Sequence, residues 1–114
     1  MATKANLIID QGSSFQVDID IADEDDNLID LTGYSGVSQI RKHYTSSTSV
    51  PFAVNVDIYG GVQLTMTAEQ TANLVAGRYV YDVELTSSGG VVTRVVEGIV
   101  TVTPQVTKNA NTGY

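Results

Sequence analysis

The chain has 114 residues and carries 13 acids against 6 bases, a formal net charge of −7. That length supplies one domain with a single core. Without cysteine there is no disulfide framework, zinc–thiolate site or thiol nucleophile, which is compatible with a reducing cytoplasm during synthesis. The bases Lys4, Arg41, Lys42, Arg78, Arg94 and Lys108 are scattered. No basic stripe answers to nucleic-acid phosphates, no apolar run approaches the roughly 18 residues of a membrane helix, and MATKANLIID lacks the apolar run of a signal peptide.

That opening reads as a short N-terminal arm. From Ser14 to Ile21, SFQVDIDI alternates strictly, with Phe15, Val17, Ile19 and Ile21 on one face and Gln16, Asp18 and Asp20 on the other. This period of two marks a half-buried antiparallel strand. The acidic stretch IADEDDN follows, and Asp23, Asp25 and Asn27 match the opening ligands of a calcium loop. The match then breaks. Leu28 stands where the sharp bend needs glycine, and Tyr34 where the bidentate glutamate belongs. A hairpin tip is the simpler reading, because Asp and Asn close turns with their own side chains. Leu28, Ile29 and Leu31 then return the chain to the core.

His43, the single histidine, ends a strand beside Arg41, Lys42 and Tyr44. A catalytic histidine needs a nucleophile and an orienting acid, and no G-x-S-x-G spelling occurs. Residues 52–58, FAVNVDI, alternate with Phe52, Val54, Val56 and Ile58 inward. A two-residue hairpin at Tyr59-Gly60-Gly61 leads to Val62, Leu64 and Met66 on one face. TAEQTANL, residues 67–74, opens with the Thr-x-x-Gln capping box and predicts a helix of two turns at most across one end of the sheets, with Gly77 as its stop.

Residues 78–86 place Tyr79, Tyr81, Val83 and Leu85 together, opposite Val80, Asp82 and Glu84. Ser87-Ser88-Gly89-Gly90 forms another turn. The last strand, from about Val91 to Thr103, has doubled apolar positions at 91–92, 95–96 and 99–100, and Gly98 marks a bulge, a bend or a close backbone approach. Pro104 ends it, and residues 107–114 form a polar tail.

About seven or eight antiparallel strands with one short connecting helix, over residues 67–74, predict a single immunoglobulin-like β-sandwich spanning residues 1–114. A small barrel is the alternative. Acid pairs such as Asp18/Asp20 and Asp82/Glu84 fall on outward strand faces, where solvated acids normally lie, and not as a glycosidase pair. No phosphate-loop or dinucleotide spelling occurs. The chain therefore reads as a protein that is not an enzyme and needs no cofactor. Exposed tyrosines favour protein interfaces, so Tyr34, Tyr44, Tyr59 and Tyr114 are candidate contact residues. Arg94 with Glu97, and Arg41 with Asp82, are candidate ion pairs, and Gly77 is a second candidate for close backbone approach.

Five stretches share one further pattern: DLTGY at 30–34, QIR at 39–41, LTMTAEQT at 64–71, AGRYVYDVE at 76–84 and RVVEGIVTVTP at 94–104. Together they resemble small tail-associated phage proteins and the N-terminal domain of phage baseplate upper proteins, over roughly residues 7–107. The resemblance implies a virion structural role, with other virion proteins and copies of the chain itself as partners in a symmetric assembly. In longer relatives this domain fixes a fibre or receptor-binding arm. Here the chain stops at Tyr114, which leaves a docking or adaptor module at the tail or baseplate or at a fibre attachment. Capsid decoration on the head is the alternative, and a carbohydrate- or cell-surface-binding module is the second.

Overall fold

A computed structural model describes residues 3–22, 25, 27 and 29–106. Nine strands and one helix follow in order: β1 Thr3–Lys4, β2 Leu7–Asp10, β3 Phe15–Asp20, β4 Ser35–Arg41, β5 Val50–Pro51, β6 Ala53–Val56, β7 Gly61–Met66, α1 Ala68–Ala72, β8 Gly77–Thr86 and β9 Val92–Thr103. The larger sheet runs β1-β9-β8-β4-β5, with β2 also on β9, and the smaller runs β3-β7-β6.

The period-two segments become strands because their apolar faces meet between the sheets. Val62, Leu64 and Met66 of the central strand β7 pack with Tyr81, Val83 and Leu85 of β8 and Val96, Val100 and Val102 of β9, all buried. Phe52 joins the two aromatic neighbourhoods, tilted against Phe15 at 5.8 Å and edge-on to Tyr81 at 6.1 Å. Such ring pairs add stability beyond their buried area. At Phe52 the chain also changes sheets. Its N–H donates to Ser38 O at 3.0 Å, β5 pairs with β4, and β6 pairs with β7.

All pairings within the sheets are antiparallel except at one edge. There β1 and β2 lie parallel to β9, Leu7 opposite Val100 and Asp10 opposite Thr103. The N-terminal arm is thus a strand of the larger sheet, interrupted at Ala5 and Asn6. Gly98 explains the interruption. A Cβ there would overlap the Ala5 carbonyl oxygen and lie 2.8 Å from the carbonyl carbon. Tyr81 Oη donates to that carbonyl at 2.6 Å, and Asn6 Oδ1 accepts from Ile99 N at 3.1 Å. A side chain replaces the missing rung of the ladder.

First strand parallel to last, chain-order neighbours in two facing sheets, and a short helix between β7 and β8 make an immunoglobulin-like β-sandwich. Tyr79 Oη donates to Val75 O at 2.6 Å, the tyrosine-corner arrangement of such sandwiches, in which antibody domains place a disulfide cysteine two residues later. Here that position is Tyr81, 3% exposed, and an aromatic cluster takes the place of the missing cross-link. Tyr79→Phe is expected to cost about 1 kcal/mol, readable as a lower urea midpoint with an unchanged slope.

The capping box forms as spelled. Gln70 N donates to Thr67 Oγ1 at 3.1 Å, and Thr67 N donates to Gln70 Oε1 at 2.9 Å. The helix does not run to Gly77. It ends at Ala72, capped by Asn73, because Leu74, 4% exposed, turns into the core, and Gly77 at φ +141° opens β8. Thr71 is fully buried. Its hydroxyl accepts from Gly12 N at 3.0 Å and donates to Ser13 O at 2.8 Å, tying the helix to the β2–β3 turn. Thr67→Ala is expected to lose about 1 kcal/mol by the same urea measurement.

Two other local expectations are corrected. Ile58 does not face inward and is 50% exposed, because the chain already turns at Asp57. Gly60 N donates to Asp57 O, Asp57 N donates to Gly61 O, and Asp57 Oδ1 accepts from Tyr59 N. Three residues therefore form the loop instead of two, with Gly60 at φ +95° supplying the left-handed position that such loops require. Strand β4 ends at Arg41, so His43 lies in the following turn, where its N–H donates to Ser46 Oγ.

Candidate interaction surface

The two outer faces of the sandwich differ in chemistry. On the larger sheet, register aligns Val37 with Glu84 and Arg94, then Gln39 with Asp82, Glu97 and Lys4, then Arg41 with Val80 and Ile99. Arg94 sits 3.3 Å from Asp82 and 3.3 Å from Glu97, and Lys4 sits 3.1 Å from Glu97. The hydrogen bond and charge of Lys4, reinforced by Arg94, hold the Glu97 carboxyl below the usual carboxylate range. Exposed pairs of this kind add little stability, but they fix the positions of four charged groups. Apolar side chains flank them in solvent: Val37 57% exposed, Val92 58%, Ile99 42% and Ile8 67%. A shallow groove of about 340 Å³ crosses this face, lined among others by Val37, Arg41, Tyr44, Asp82 and Arg94.

The depressed Glu97 value sets a pH dependence. A carboxyl whose folded value is lowered contributes stability above its unfolded value, and this is lost as pH falls through the folded one. Wild type is therefore expected to lose slightly more stability between about pH 5 and pH 3 than Glu97→Gln does. The difference is expected to shrink in molar salt, measured by urea unfolding at each pH.

The outer face of the smaller sheet is polar. Gln16, Asp18 and Asp20 of β3 are exposed, as is Asn55 of β6, and Asn55 Nδ2 donates to Gln63 Oε1 of β7. Among the described residues, no group of three or more His, Cys, Asp or Glu is arranged to hold a metal ion.

Much of the acidic stretch, Asp23, Glu24, Asp26 and Leu28, lies outside the described residues; it connects β3 and β4, which belong to different sheets, and its two flanks are tied down. Ile29 N donates to Ile21 O, and Leu31 N donates to Ile58 O. Of the three weak metal candidates, Asp25 and Asn27 are exposed and each has an interaction of its own, while Asp23 lies outside the described residues. Asp30 makes a closed turn. Its Oδ1 accepts from Thr32 N at 2.9 Å and from Thr32 Oγ1 at 2.6 Å, and these bonds hold its carboxyl below the usual range.

The tyrosines do not form one site. Tyr59, 73% exposed, and the half-buried Tyr34 belong to the end where the β3–β4, β6–β7 and β8–β9 connections gather, Gly33 lying against Ser88. Tyr44, 78% exposed, lies at the opposite end beyond β4, and Tyr114 lies outside the described residues. The Arg94–Glu97 pair is present, but Arg41 does not pair with Asp82. Register sets Gln39 opposite Asp82 and Arg41 opposite Val80. Arg41 instead donates to Ser46 O at 2.6 Å and Gln39 Oε1 at 3.0 Å. What sequence reasoning missed is the amphipathic sheet face itself. Its signal was present in the doubled valines and Ile99-Val100 of the last strand, where apolar residues occupy both faces.

No family model matches this chain, and no curated protein matches it. Solved structures similar to it include CopC from Methylosinus trichosporium OB3b, at 16% identity and a TM-score of 0.49, with 90% of each chain covered. An internalin-like protein of Listeria monocytogenes is similar at 15% identity and a TM-score of 0.46. A family 123 glycoside hydrolase from Clostridium perfringens is similar at 12% and 0.41. The aligned region spans 28% and 23% of the latter two chains. At these identities the likenesses carry no argument about activity.

Proposed function

We propose that this protein is a non-catalytic docking module of a phage particle, placed at the tail or baseplate. The observation that supports a docking role is the outer face of the larger sheet, where Val37, Val92, Ile99 and Ile8 stand in solvent around the Arg94–Asp82–Glu97–Lys4 network. Exposed apolar side chains gathered on one face mark interaction sites, and fixed charges among them confer register and partner choice. The virion setting is supported by the resemblance of DLTGY, AGRYVYDVE and RVVEGIVTVTP to tail-associated proteins.

Quantitative mass spectrometry of purified particles, with heads and tails separated, tests this reading. Stoichiometric copies in the tail fraction are expected. Copies in the head fraction alone would make it a capsid decoration protein, and absence from both would overturn the proposal. The paired change Val37→Glu and Ile99→Glu is expected to leave folding stability within about 1 kcal/mol, since both residues are exposed. Incorporation into particles is expected to fall at least about tenfold, equivalent to about 1.4 kcal/mol.

A further inference from the structure

The fold leaves one long strand edge unpaired, and its chemistry selects what can add to it. In constant-type immunoglobulin sandwiches the first strand lies beside the second, in the same sheet. Here β1 and β2 pair instead with β9 in the larger sheet, so β3 ends the order β3-β7-β6 with nothing beside it among the described residues. It is the longest such edge, six residues, against four for β6 and two for β5. The flank at β6 is also closed where the chain crosses between sheets at Phe52, a closure β3 lacks.

Ile21 N donates to Gly60 O, and Asp57 N to Gly61 O. The alternation of an antiparallel ladder then directs the N–H and C=O groups of Phe15, Val17 and Ile19 toward β7. Those of Gln16, Asp18 and Asp20 point out of the open edge. The side chains of Phe15, Val17 and Ile19 remain half-exposed while packing against the core, so a strand added here would also cover apolar surface.

We infer that β3 is a β-augmentation edge for an extended segment of another protein carrying lysine or arginine at alternate positions. A second copy of the chain is disfavoured as occupant. Symmetric antiparallel pairing that keeps the apolar faces together gathers Asp18 and Asp20 of both copies on one face, and centred on Asp18 it sets Asp18 directly opposite Asp18. Like charges directly opposite destabilise a sheet, whereas opposite charges stabilise it. The unpaired backbone supplies affinity and the acids supply selection. This inference is independent of where in a particle the protein sits.

The test uses a fluorescein-labelled peptide, Thr-Val-Lys-Val-Lys-Val-Lys-Thr, with the full chain and fluorescence anisotropy. Its two controls are the same peptide with glutamate for lysine and with alternate backbone nitrogens methylated. The lysine peptide is expected to bind about tenfold tighter than the glutamate peptide, with amide protection appearing at Gln16, Asp18 and Asp20, and methylation is expected to abolish binding. Asp18→Pro removes an outward N–H but no bond to β7, which edge strands tolerate, and is expected to abolish binding as well. The double change Asp18→Lys with Asp20→Lys is expected to reverse the peptide preference, and it carries the test should the proline variant fail to fold. Equal binding of the methylated peptide, absence of binding by the lysine peptide, or an unchanged preference in the double variant would overturn the inference.

Discussion

Replacing Tyr81 by alanine is expected to cost about 3–5 kcal/mol. The ring is 3% exposed, stands edge-on to Phe52 at 6.1 Å, and occupies the position where antibody domains hold a disulfide cysteine. Its hydroxyl donates to Ala5 O at 2.6 Å, linking residues 76 positions apart. Tyr81→Phe keeps the ring and removes only that bond, at an expected cost of about 1–2 kcal/mol. The two variants separate packing from anchoring, because only the alanine change opens a cavity.

The same hydroxyl gives an alkaline signature. Burial pushes Tyr81 up from an ordinary 10.0 to about 12. A group whose folded value is raised contributes stability that is intact below its unfolded value and lost as pH rises through the folded one. Wild type is therefore expected to lose about 1.4 kcal/mol per pH unit above pH 10 from this group, and roughly 2–3 kcal/mol by pH 12. Tyr81→Phe lacks this contribution. The stability gap between the two is thus expected to close or invert between pH 10 and pH 12, as measured by urea unfolding. A constant gap would show that the hydroxyl is hydrated in the folded state.

The second large effect is at Gly98. An alanine methyl there would overlap the Ala5 carbonyl oxygen, and backbone cannot give way as a flexible side-chain end can. Gly98→Ala is expected to cost about 2–3 kcal/mol. Amide exchange is expected to place the damage, with Ala5 N, bonded to Glu97 O, and Ile99 N, bonded to Asn6 Oδ1, losing protection before the β3–β7 ladder does. Gly89→Ala is the control. Its methyl would meet only Ser87 Oγ at 3.8 Å, and a change within about 0.5 kcal/mol is expected. Equal losses at both glycines would refute the close-approach explanation.

Local chemistry was legible in the sequence and long-range pairing was not. Strict alternation marked β3, β7 and β8 with the correct inward residues, Thr67 and Gln70 spelled a capping box that forms, and of the readings of Gly98 the close approach held while the bulge falls between Val83 and Glu84. These signals rest on neighbours a few residues apart. The parallel docking of β1 and β2 on β9 joins the two ends of the chain, and four residues of LIID carry no mark of their partner. Arg41 failed to meet Asp82 for the same reason, since a ladder's register decides which outward residues face each other. Alternation through residues 52–58 overran at Ile58, because turn closure by Asp57 and Gly60 outweighed the pattern. The tyrosines divided between opposite ends once the topology ran the strands in alternating directions. The candidate face stayed hidden because its four charges come from three strands, β1, β8 and β9.

A side-chain-resolution reconstruction of the assembled phage particle tests the proposed docking role most directly. The expected result is density for this sandwich at the tail or baseplate, with Val37, Val92 and Ile99 buried against a neighbour and Arg94, Asp82 and Glu97 at the contact. A particle without this protein, or one in which the outer face of the larger sheet stands wholly in solvent, would contradict it.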